Sequence, residues 1–270
     1  MTNVVTILGC GSSGGVPRPA TGWGACDPEN PRNRRRRCSI LVEKTGPAGK
    51  TTVLVDTSPD LRDQLIGAGV TWIDGVLYTH DHADHTHGID DLRPIVIHNR
   101  RHVSVHMEPG TGERLKERFS YCFDSAPGSP YPPILDAHDI LPPTPVVVDG
   151  QGGPVVAEPF PVIHGPIVAL GFRFGGLAYT PDVSDIPEES VEFLQDLDVW
   201  IVDALRNAPH ISHFAVDDAL RWIDRVKPRR AILTNMHVDL DYEALKRRLP
   251  ETIEPAYDGM RIGYVEESLD

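Results

Sequence analysis

Residues 79–85 constrain this chain more than any other segment, because they place three histidines and two aspartates within seven positions. Their pattern, His-x-His-x-Asp-His, follows a short apolar run at 76–78. This order predicts that the chain leaves a strand and enters a loop that carries ligands. Neutral imidazoles and ionised carboxylates are ligands of Zn²⁺, Mn²⁺ and iron. A histidine-rich surface loop is the alternative, but the density of these residues favours a metal site.

Composition describes an ordinary globular protein, with 40% hydrophobic and 24% charged residues among 270. No window approaches the length of a membrane span, and the apolar run near the N-terminus is too short for a signal sequence. The four cysteines are scattered without a CxxC pair, which favours a reducing compartment. The net charge of −13 disfavours sequence-independent binding of nucleic acid over a broad surface. We therefore expect one cytoplasmic domain over 1–270, with no membrane partner and no large nucleic-acid partner.

Apolar runs that end in a histidine or an aspartate recur along the chain. A sheet that delivers such residues from its strand ends to one rim can build a site from distant parts of the sequence. A single residue of this kind would be unremarkable, but six together favour a shared site. The predicted strand ends are Asp56, His80, His164, Asp182, Asp203 and His237. Asp56 is also well placed to orient a ligand histidine, although a turn carboxylate is an equal alternative.

Three other segments carry weaker signals. The glycine-rich segment 9–15 lacks the Gly-Lys-Ser/Thr of a P-loop, so a structural turn and a phosphate contact are equally good interpretations. The basic run at 34–37 is better interpreted as a solvated or internally paired edge than as a substrate clamp. Residues 124–154 are rich in Pro, Gly and Asp and are expected to be connecting chain.

The ordered motifs resemble those of the metallo-β-lactamase fold superfamily, and the likeness covers almost the whole chain. The resemblance implies an α/β fold, a four-layer αβ/βα sandwich of two mixed β-sheets flanked by helices. It also implies two divalent metal ions, Zn²⁺ or Mn²⁺, between which the sequence does not choose. His80, His82 and His164 would hold one ion, Asp84, His85 and His237 the second, and Asp182 would bridge them.

Within the superfamily the chain is most similar to the PhnP-type phosphodiesterases, which open phosphoribosyl 1,2-cyclic phosphate. The stretches that resemble this family are 8–12, the arginine-rich approach to Cys38, 88–93 and 257–260. His213 matches a family histidine that contacts the phosphate and acts as a general acid. Arg93 is a plausible anion contact close to the site, so His213 and Arg93 are the predicted substrate-binding residues.

Two departures from the family pattern matter. The cysteine cluster of the family's structural zinc site is reduced to Cys26, so that site is expected to be absent. The last ligand normally follows threonine directly, whereas this chain has Thr234-Asn235 and then His237 two places on. Either His237 or Asn235 could therefore face the metal, and His237 is the ligand that the pattern supports least.

The resemblance implies a binuclear phosphodiesterase that attacks a small cyclic phosphate or nucleotide with a metal-bridged hydroxide. His213, Asp84 and Asp182 are the predicted catalytic residues, and a homodimer is a family-level expectation. One alternative is a hydrolase of an uncharged ester, lactone or thioester, and another is a metal-loaded carrier protein in cofactor biosynthesis. Enzymes that process tRNA 3′ ends carry a long arm between the residues matching His164 and Asp182, whereas a short hairpin separates these two here. Processing of tRNA is therefore disfavoured.

Overall fold

The computed structural model describes residues 2–125 and 128–265, and the remainder of the predicted domain 1–270 lies outside the described residues. Two seven-stranded sheets form the architecture. The first has the strand order β14-β1-β2-β3-β4-β5-β6. Its members are β1 (Thr2–Gly9), β2 (Ser39–Gly46), β3 (Gly49–Val55), β4 (Gly75–Leu77), β5 (Val103–Met107), β6 (Leu135–Asp139) and β14 (Arg261–Tyr264).

The second sheet has the order β13-β12-β11-β10-β9-β8-β7. Its strands are β7 (Val146–Val148), β8 (Val155–His164), β9 (Ile167–Phe174), β10 (Leu177–Thr180), β11 (Val199–Asp203), β12 (Arg230–Thr234) and β13 (Ile253–Pro255). Both sheets are mixed: β3 to β6 pair in parallel and β1 to β3 antiparallel, while β10 to β13 pair in parallel and β7 to β10 antiparallel.

Alternation along the strands of the first sheet places apolar side chains on both of its faces. Ile40 and Val42 of β2 join the core that also contains residues of the second sheet. Leu41, between them, joins a separate core on the opposite face of the sheet. A strand alternates its side chains between faces with a period of two, so a run without polar positions must be covered on both sides. The sequence of β2 thus requires a layer on each side of the sheet.

Helices supply the outer layers. The second core brings in α1 (Leu61–Ala68), α3 (Arg93–Asn99) and α4 (Pro109–Arg118). On the second sheet, α6 (Val216–Val226) buries Val216, Ala219, Ile223 and Val226, the spacing of one helical face. The shorter helices are α2 (Ala83–Thr86), α5 (Ser120–Phe123) and α7 (Tyr242–Lys246). This arrangement is the predicted αβ/βα sandwich, and the fold prediction is confirmed.

The expectation of connecting chain over 124–154 is wrong in part, because this stretch contains β6 and β7. Both are outermost strands of their sheets. In β6 the sequence Leu-Asp-Ala-His-Asp buries Leu135 but leaves most of the strand exposed. β7 is Val-Val-Val and buries two of its three side chains, but it is only three residues long. The polar side chains of β6 and the shortness of β7 therefore hid these two edge strands in the sequence.

Candidate metal centre

The His-x-His-x-Asp-His motif begins in the loop after β4, as the apolar run before it predicted, and its Asp84 and His85 lie in α2. Backbone hydrogen bonds connect the start of this loop to both sheets. Tyr78 N–H donates to the carbonyl of His106 on β5 at 2.9 Å, and the carbonyl of Thr79 accepts from Leu170 N–H on β9 at 2.9 Å. His80 and His85 are buried, whereas His82 is exposed and Asp84 partly so. The motif thus lies between the two sheets with one side open.

Strands of the second sheet complete the centre with His164, the last residue of β8, and Asp182, just after β10. Two groups of potential ligand atoms result, within each of which the atoms lie within 4.8 Å of one another. The first consists of His80, His82, His164 and Asp182, and the second of Asp84, His85 and Asp182.

Asp182 belongs to both groups, and its two oxygens face different ones. Oδ2 lies 3.5 Å from Nε2 of His164 and 3.8 Å from Nε2 of His80. Oδ1 lies 3.3 Å from Nε2 of His85 in the second group. One carboxylate therefore belongs to both groups of potential ligand atoms, which is the position that the resemblance implied for Asp182.

The ring nitrogens of the histidines fit this role. Nδ1 of His85 donates to Asp56 Oδ2 at 2.7 Å, and Nδ1 of His164 donates to the carbonyl of Ser212 at 2.6 Å. Each proton held on Nδ1 leaves Nε2 with a lone pair. Among the described residues, Nε2 of His80 and Nε2 of His85 are buried without any hydrogen-bond partner. Buried imidazole nitrogens ordinarily find a partner, so these atoms fit a metal cation.

Charge and burial support the same interpretation. Burial lowers the pKa of His80 well below its ordinary value and lowers that of His164 as well, which keeps both rings neutral and able to ligate. Burial also disfavours a charge on His85, but Asp182, Asp84 and Asp56 outweigh it and raise its pKa well above the ordinary value. A cation in the second group would take the place of that proton.

Asp56, which directly follows β3, orients the motif through hydrogen bonds. This is one of the two roles that its position suggested. Its φ of 65° turns the chain after the strand and brings the carboxylate under residues 79–85. Oδ1 accepts from Thr79 N–H at 2.8 Å, and Oδ2 accepts from the Thr79 hydroxyl at 2.9 Å in addition to His85. Nδ1 of His80 lies 3.0 Å from the same hydroxyl. One buried carboxylate thus fixes the orientation of two of the predicted ligand rings.

His237, the predicted last ligand, is not in either group. Its Nε2 contacts Nη1 of Arg18, and its Nδ1 lies 3.1 Å from Oδ1 of Asp239. Asn235 lies at the centre instead, because its φ of 59° turns the side chain inward directly after β12. Its Nδ2 donates to Asp182 Oδ1 at 3.3 Å and to Asp203 Oδ1 at 3.2 Å. Metal ligation by His237 stays a prediction that this arrangement does not support.

His213 lies at the open side of the centre. Its ring packs at 4.7 Å from that of His164, and its Nδ1 donates to Asp203 Oδ2 at 2.8 Å. Burial disfavours its charge, but the hydrogen bond and charge of Asp203 raise the pKa of His213 to about 9. Burial raises the pKa of Asp203. The pair therefore retains a proton next to the predicted ligands.

Arg93, the predicted anion contact, points elsewhere. Its Nε and Nη2 donate to Asp90 Oδ1 at 3.0 and 2.8 Å, and its guanidinium lies over the ring of Tyr121. It lines a different cavity, with Tyr121 and residues of the 124–131 segment. Substrate binding by Arg93 stays a prediction without a contact to support it.

A cavity of about 150 Å³ opens beside the second group. Sequence reasoning missed two arginines in its wall, Arg18 from the loop after the glycine-rich segment and Arg206 from the loop after β11. Arg206 lies three residues beyond the strand end at Asp203, so attention to that loop would have found it. The lining residues are Ser12, Ser13, Arg18, Asp84, Leu205, Arg206, His210, His213, Asn235 and His237.

The basic run 34–37 is part of the scaffold, as the internally paired interpretation proposed. Arg35 is 1% exposed and donates to the carbonyl of Leu240 at 2.7 Å. Arg36 pairs with Asp258 at 3.0 Å and Arg37 with Asp60 at 2.9 Å. These contacts fasten the loop before β2 to the rest of the fold.

Fold and centre together define a hydrolase of the metallo-β-lactamase fold. Residues 51–236 match the family described as the β-lactamase superfamily domain. A crystal structure described as a new diphosphatase from the PhnP family is 34% identical, with a TM-score of 0.87 over 97% of both chains. The chain belongs to the metallo-β-lactamase superfamily and is PhnP-like.

Two further relatives place the chain more broadly. It is 33% identical over 259 residues to an octanoyltransferase of Porphyromonas gingivalis, covering 94% of this chain but spanning only 50% of that protein. The Zn²⁺-bound PqqB of Methylobacterium extorquens shares the fold at 17% identity, with a TM-score of 0.73 over 96% of this chain and 99% of that one. Within the described ranges, no helix is long and apolar enough to cross a membrane.

Proposed function

We propose that the protein is a binuclear metal-dependent phosphodiesterase that hydrolyses a small cyclic phosphate or nucleotide. The observation that carries this proposal is the position of Asp182, whose two oxygens face two separate groups of ligand atoms. A cavity lined by Asp84 and His213 adjoins the second group. Substrate could therefore reach the ligands and a proton donor from the same side. A single domain, a cytoplasmic location and a homodimer stay expectations.

The two groups of potential ligand atoms support the proposed ligand sets. His80, His82, His164 and Asp182 would hold one divalent ion, and Asp84, His85 and Asp182 the other. Ligands of nitrogen and oxygen alone suit both Zn²⁺ and Mn²⁺. Bound there, the ions would activate water for attack on phosphorus and neutralise charge on the phosphate oxygens. Asp56 would keep the rings of His80 and His85 oriented during turnover.

His213 would act as the general acid. Its Nδ1 is occupied by Asp203, so Nε2 is the nitrogen left to give a proton to the departing oxygen of the substrate. The ring lies beside His164 and lines the cavity together with Asp84. Asp203 is itself held by Val183 N–H at 3.0 Å and by Asn235 at 3.2 Å, which fixes the direction of the imidazole. General-acid help of this kind contributes about 10²–10⁴-fold to a rate.

The comparison with the PhnP-family diphosphatase supports hydrolysis of a P–O bond in a small phosphorylated molecule, since that protein is alike over almost its whole length. Cyclic phosphodiesters, nucleotide diesters and diphosphates are therefore the substrates to test first. All three place a phosphate at the metal groups and require a proton on the oxygen that leaves.

The testing experiment combines metal analysis with a panel of cyclic phosphates, cyclic nucleotides, diphosphates and lactones. We expect turnover of a phosphodiester that depends on bound metal. His213→Ala should lower its kcat by about 10²–10⁴-fold with metal content unchanged. His98→Ala, an exposed histidine on α3, is the matched control and should behave as the parent. Unchanged phosphodiesterase activity in His213→Ala would refute the assigned role.

A second candidate is hydrolysis of an ester or thioester at the same metal groups. The observation in its favour is the 33% identity to a protein named octanoyltransferase. Because this chain spans half of that relative, the named activity can reside in the other half. An octanoyl thioester belongs in the panel, and an uncharged substrate would make little use of the cationic cavity wall. Turnover of the thioester alone would favour this candidate over the first.

A further inference from the structure

We infer that two arginines of α4, Arg114 and Arg118, position His82 for metal binding by holding the peptide bond that precedes it. Neither arginine belongs to a group of potential ligand atoms, so both are positioning residues. The inference rests on the proposed binuclear function and deepens it. It makes α4, a helix outside both groups, a determinant of how tightly the first group would hold its ion.

His82 is the histidine of the two groups whose ring needs help from elsewhere. The others, His80, His85 and His164, each contact a hydroxyl, carboxylate or carbonyl outside the groups through Nδ1. Such contacts orient metal-ligating rings. Among the described residues, the only polar contact of the His82 ring is with another potential ligand, from Nδ1 to Nε2 of His164 at 3.3 Å. Its orientation therefore depends on the backbone that carries it.

That backbone is held on both sides of His82. After it, the carbonyl of His82 accepts from His85 N–H at 3.1 Å and from the Thr86 hydroxyl at 2.9 Å, which connects it to α2. Before it, the carbonyl of Asp81 accepts from Nη1 of Arg118 at 2.6 Å. The contact that fixes the Asp81–His82 peptide bond thus comes from α4.

The side chain of Asp81 strengthens this connection. Its Oδ2 lies 2.8 Å from Nη2 of Arg118 and 2.9 Å from Nε of Arg114. Arg118 therefore binds the carbonyl and the carboxylate of one residue at once, which suits the fixed fork of a guanidinium. The Asp81 side chain is 12% exposed, whereas Arg114 and Arg118 are 49% and 42% exposed. Ion pairs of such exposure are individually weak, so the carbonyl contact makes Arg118 the more important of the two.

α4 is a firm support for these contacts. Its first turn is capped by Glu108, which accepts from Thr111 N–H at 3.1 Å, and Leu115 is fully buried in the second core. Arg114 and Arg118 are four residues apart, so they lie on the same face of the helix and reach the same carboxylate. Two guanidiniums at this spacing repel each other, and the charge of Asp81 offsets that repulsion.

The test measures the affinity for each ion in a background that retains only that ion. Asp84→Ala removes a ligand of the second group and reports the first ion, whereas His164→Ala removes a ligand of the first group and reports the second. Competition with a chelator gives the affinity for Zn²⁺ in each background. We expect Arg118→Met to weaken the first ion by about tenfold, as for other groups that orient a ligand. Arg114→Met should weaken it by about threefold at most. Neither should change the affinity for the second ion.

Two controls separate positioning from a general loss of structure. Arg225→Met removes an arginine of α6 that is 46% exposed and pairs with Glu188 at 2.6 Å, and it should leave both affinities unchanged. In an Asp81→Asn background, Arg118→Met should still weaken the first ion, because its contact with the carbonyl remains. Parental affinity for the first ion in Arg118→Met would overturn the inference. Equal weakening of both ions would overturn it as well.

Hydrogen exchange of the metal-free proteins makes the result independent of the proposed function. The His85 amide donates to the carbonyl of His82. It should exchange faster in Arg118→Met than in the parent or in Arg225→Met, while amides of β12 exchange as in the parent. If the parent binds no ion, the proposed function fails and this comparison decides the inference: faster exchange supports the role of α4, and unchanged exchange overturns it. If ions bind but no phosphodiester is turned over, only the proposed function fails.

Discussion

Replacing Asp56 by asparagine tests how the second metal group is oriented. The carboxylate accepts three hydrogen bonds, from Thr79 N–H at 2.8 Å, the Thr79 hydroxyl at 2.9 Å and His85 Nδ1 at 2.7 Å. An amide has the same size but only one oxygen. If that oxygen keeps the Thr79 N–H, its NH₂ group faces His85 and can only donate. Nδ1 of His85 must then become an acceptor, and its proton moves to Nε2.

That tautomer removes the lone pair that His85 would offer to a cation. Replacing a group that orients a metal ligand typically costs 10–100-fold in metal affinity or activity. A hydrogen bond to a charged group is also worth about 1.5–3 kcal/mol, so stability should fall as well. We expect Asp56→Asn to weaken the binding of one of the two ions by about 10–100-fold and the binding of the other ion by less. Competition with a chelator, followed by metal analysis, measures both.

The control is Asp258→Asn, because the Asp258 side chain is only 12% exposed and accepts from Cys10 N–H, Arg36 N–H and Arg36 Nε without being in either group of potential metal ligands. It should lose comparable stability and keep both ions. If Asp56→Asn bound both ions as tightly as the parent, the proposed role of the Asp56–His85 hydrogen bond would be wrong. Equal metal loss in both variants would point to a general loss of stability instead.

Two further predictions concern stability. Burial, together with the neighbouring His138, lowers the pKa of His106 to about 4, so the folded state favours the neutral ring and stability should fall as the pH drops from about 6.5 to 4. Because the ring is partly exposed, we expect this loss in the free energy of unfolding to be about 1–2 kcal/mol. Chemical denaturation of the parent and of His106→Gln across this pH range measures it. Parallel pH profiles of stability in the two proteins would contradict the prediction. Arg35→Met keeps the apolar stem but leaves the carbonyls of His237 and Leu240 without this donor, and should lower the free energy of unfolding by about 2–4 kcal/mol. Its exposed neighbour Arg34→Met should change it by less than about 0.5 kcal/mol, and equal losses in the two variants would refute the assigned role of Arg35.

Much of the candidate site could be predicted because short segments of the sequence contain its potential ligands. The spacing of His80, His82, Asp84 and His85 keeps them in one short segment. His164 ends one apolar strand and Asp182 comes just after another, and these strand ends had to meet. For Asp56, orientation of a ligand histidine and a role as a turn carboxylate were equal alternatives in the sequence. Strand ends share an edge of the fold, so residues far apart in sequence are brought to one place by topology alone.

The predictions that the geometry does not support, metal ligation by His237 and substrate binding by Arg93, depend on single backbone angles or on the partner of a side chain. Asn235 rather than His237 faces Asp182 because one residue adopts a left-handed conformation after β12, and the partner of His237 is Arg18, 219 residues away. Arg93 is occupied by Asp90, three residues before it. This pairing could be predicted, because residues three apart face each other on a helical turn. The contacts of Arg18 were not readable, since they depend on how two loops meet.

The central claim is that Asp182 belongs to both groups of potential ligand atoms and would bind both divalent ions. Its most direct test is the number of divalent ions per chain, measured by metal analysis after dialysis against a buffer with excess Zn²⁺ or Mn²⁺. We predict two ions in the parent protein, one in His164→Ala and none to one in Asp182→Ala, whose loss affects both groups. A parent protein that binds a single ion, or an Asp182→Ala variant that retains two, would contradict it.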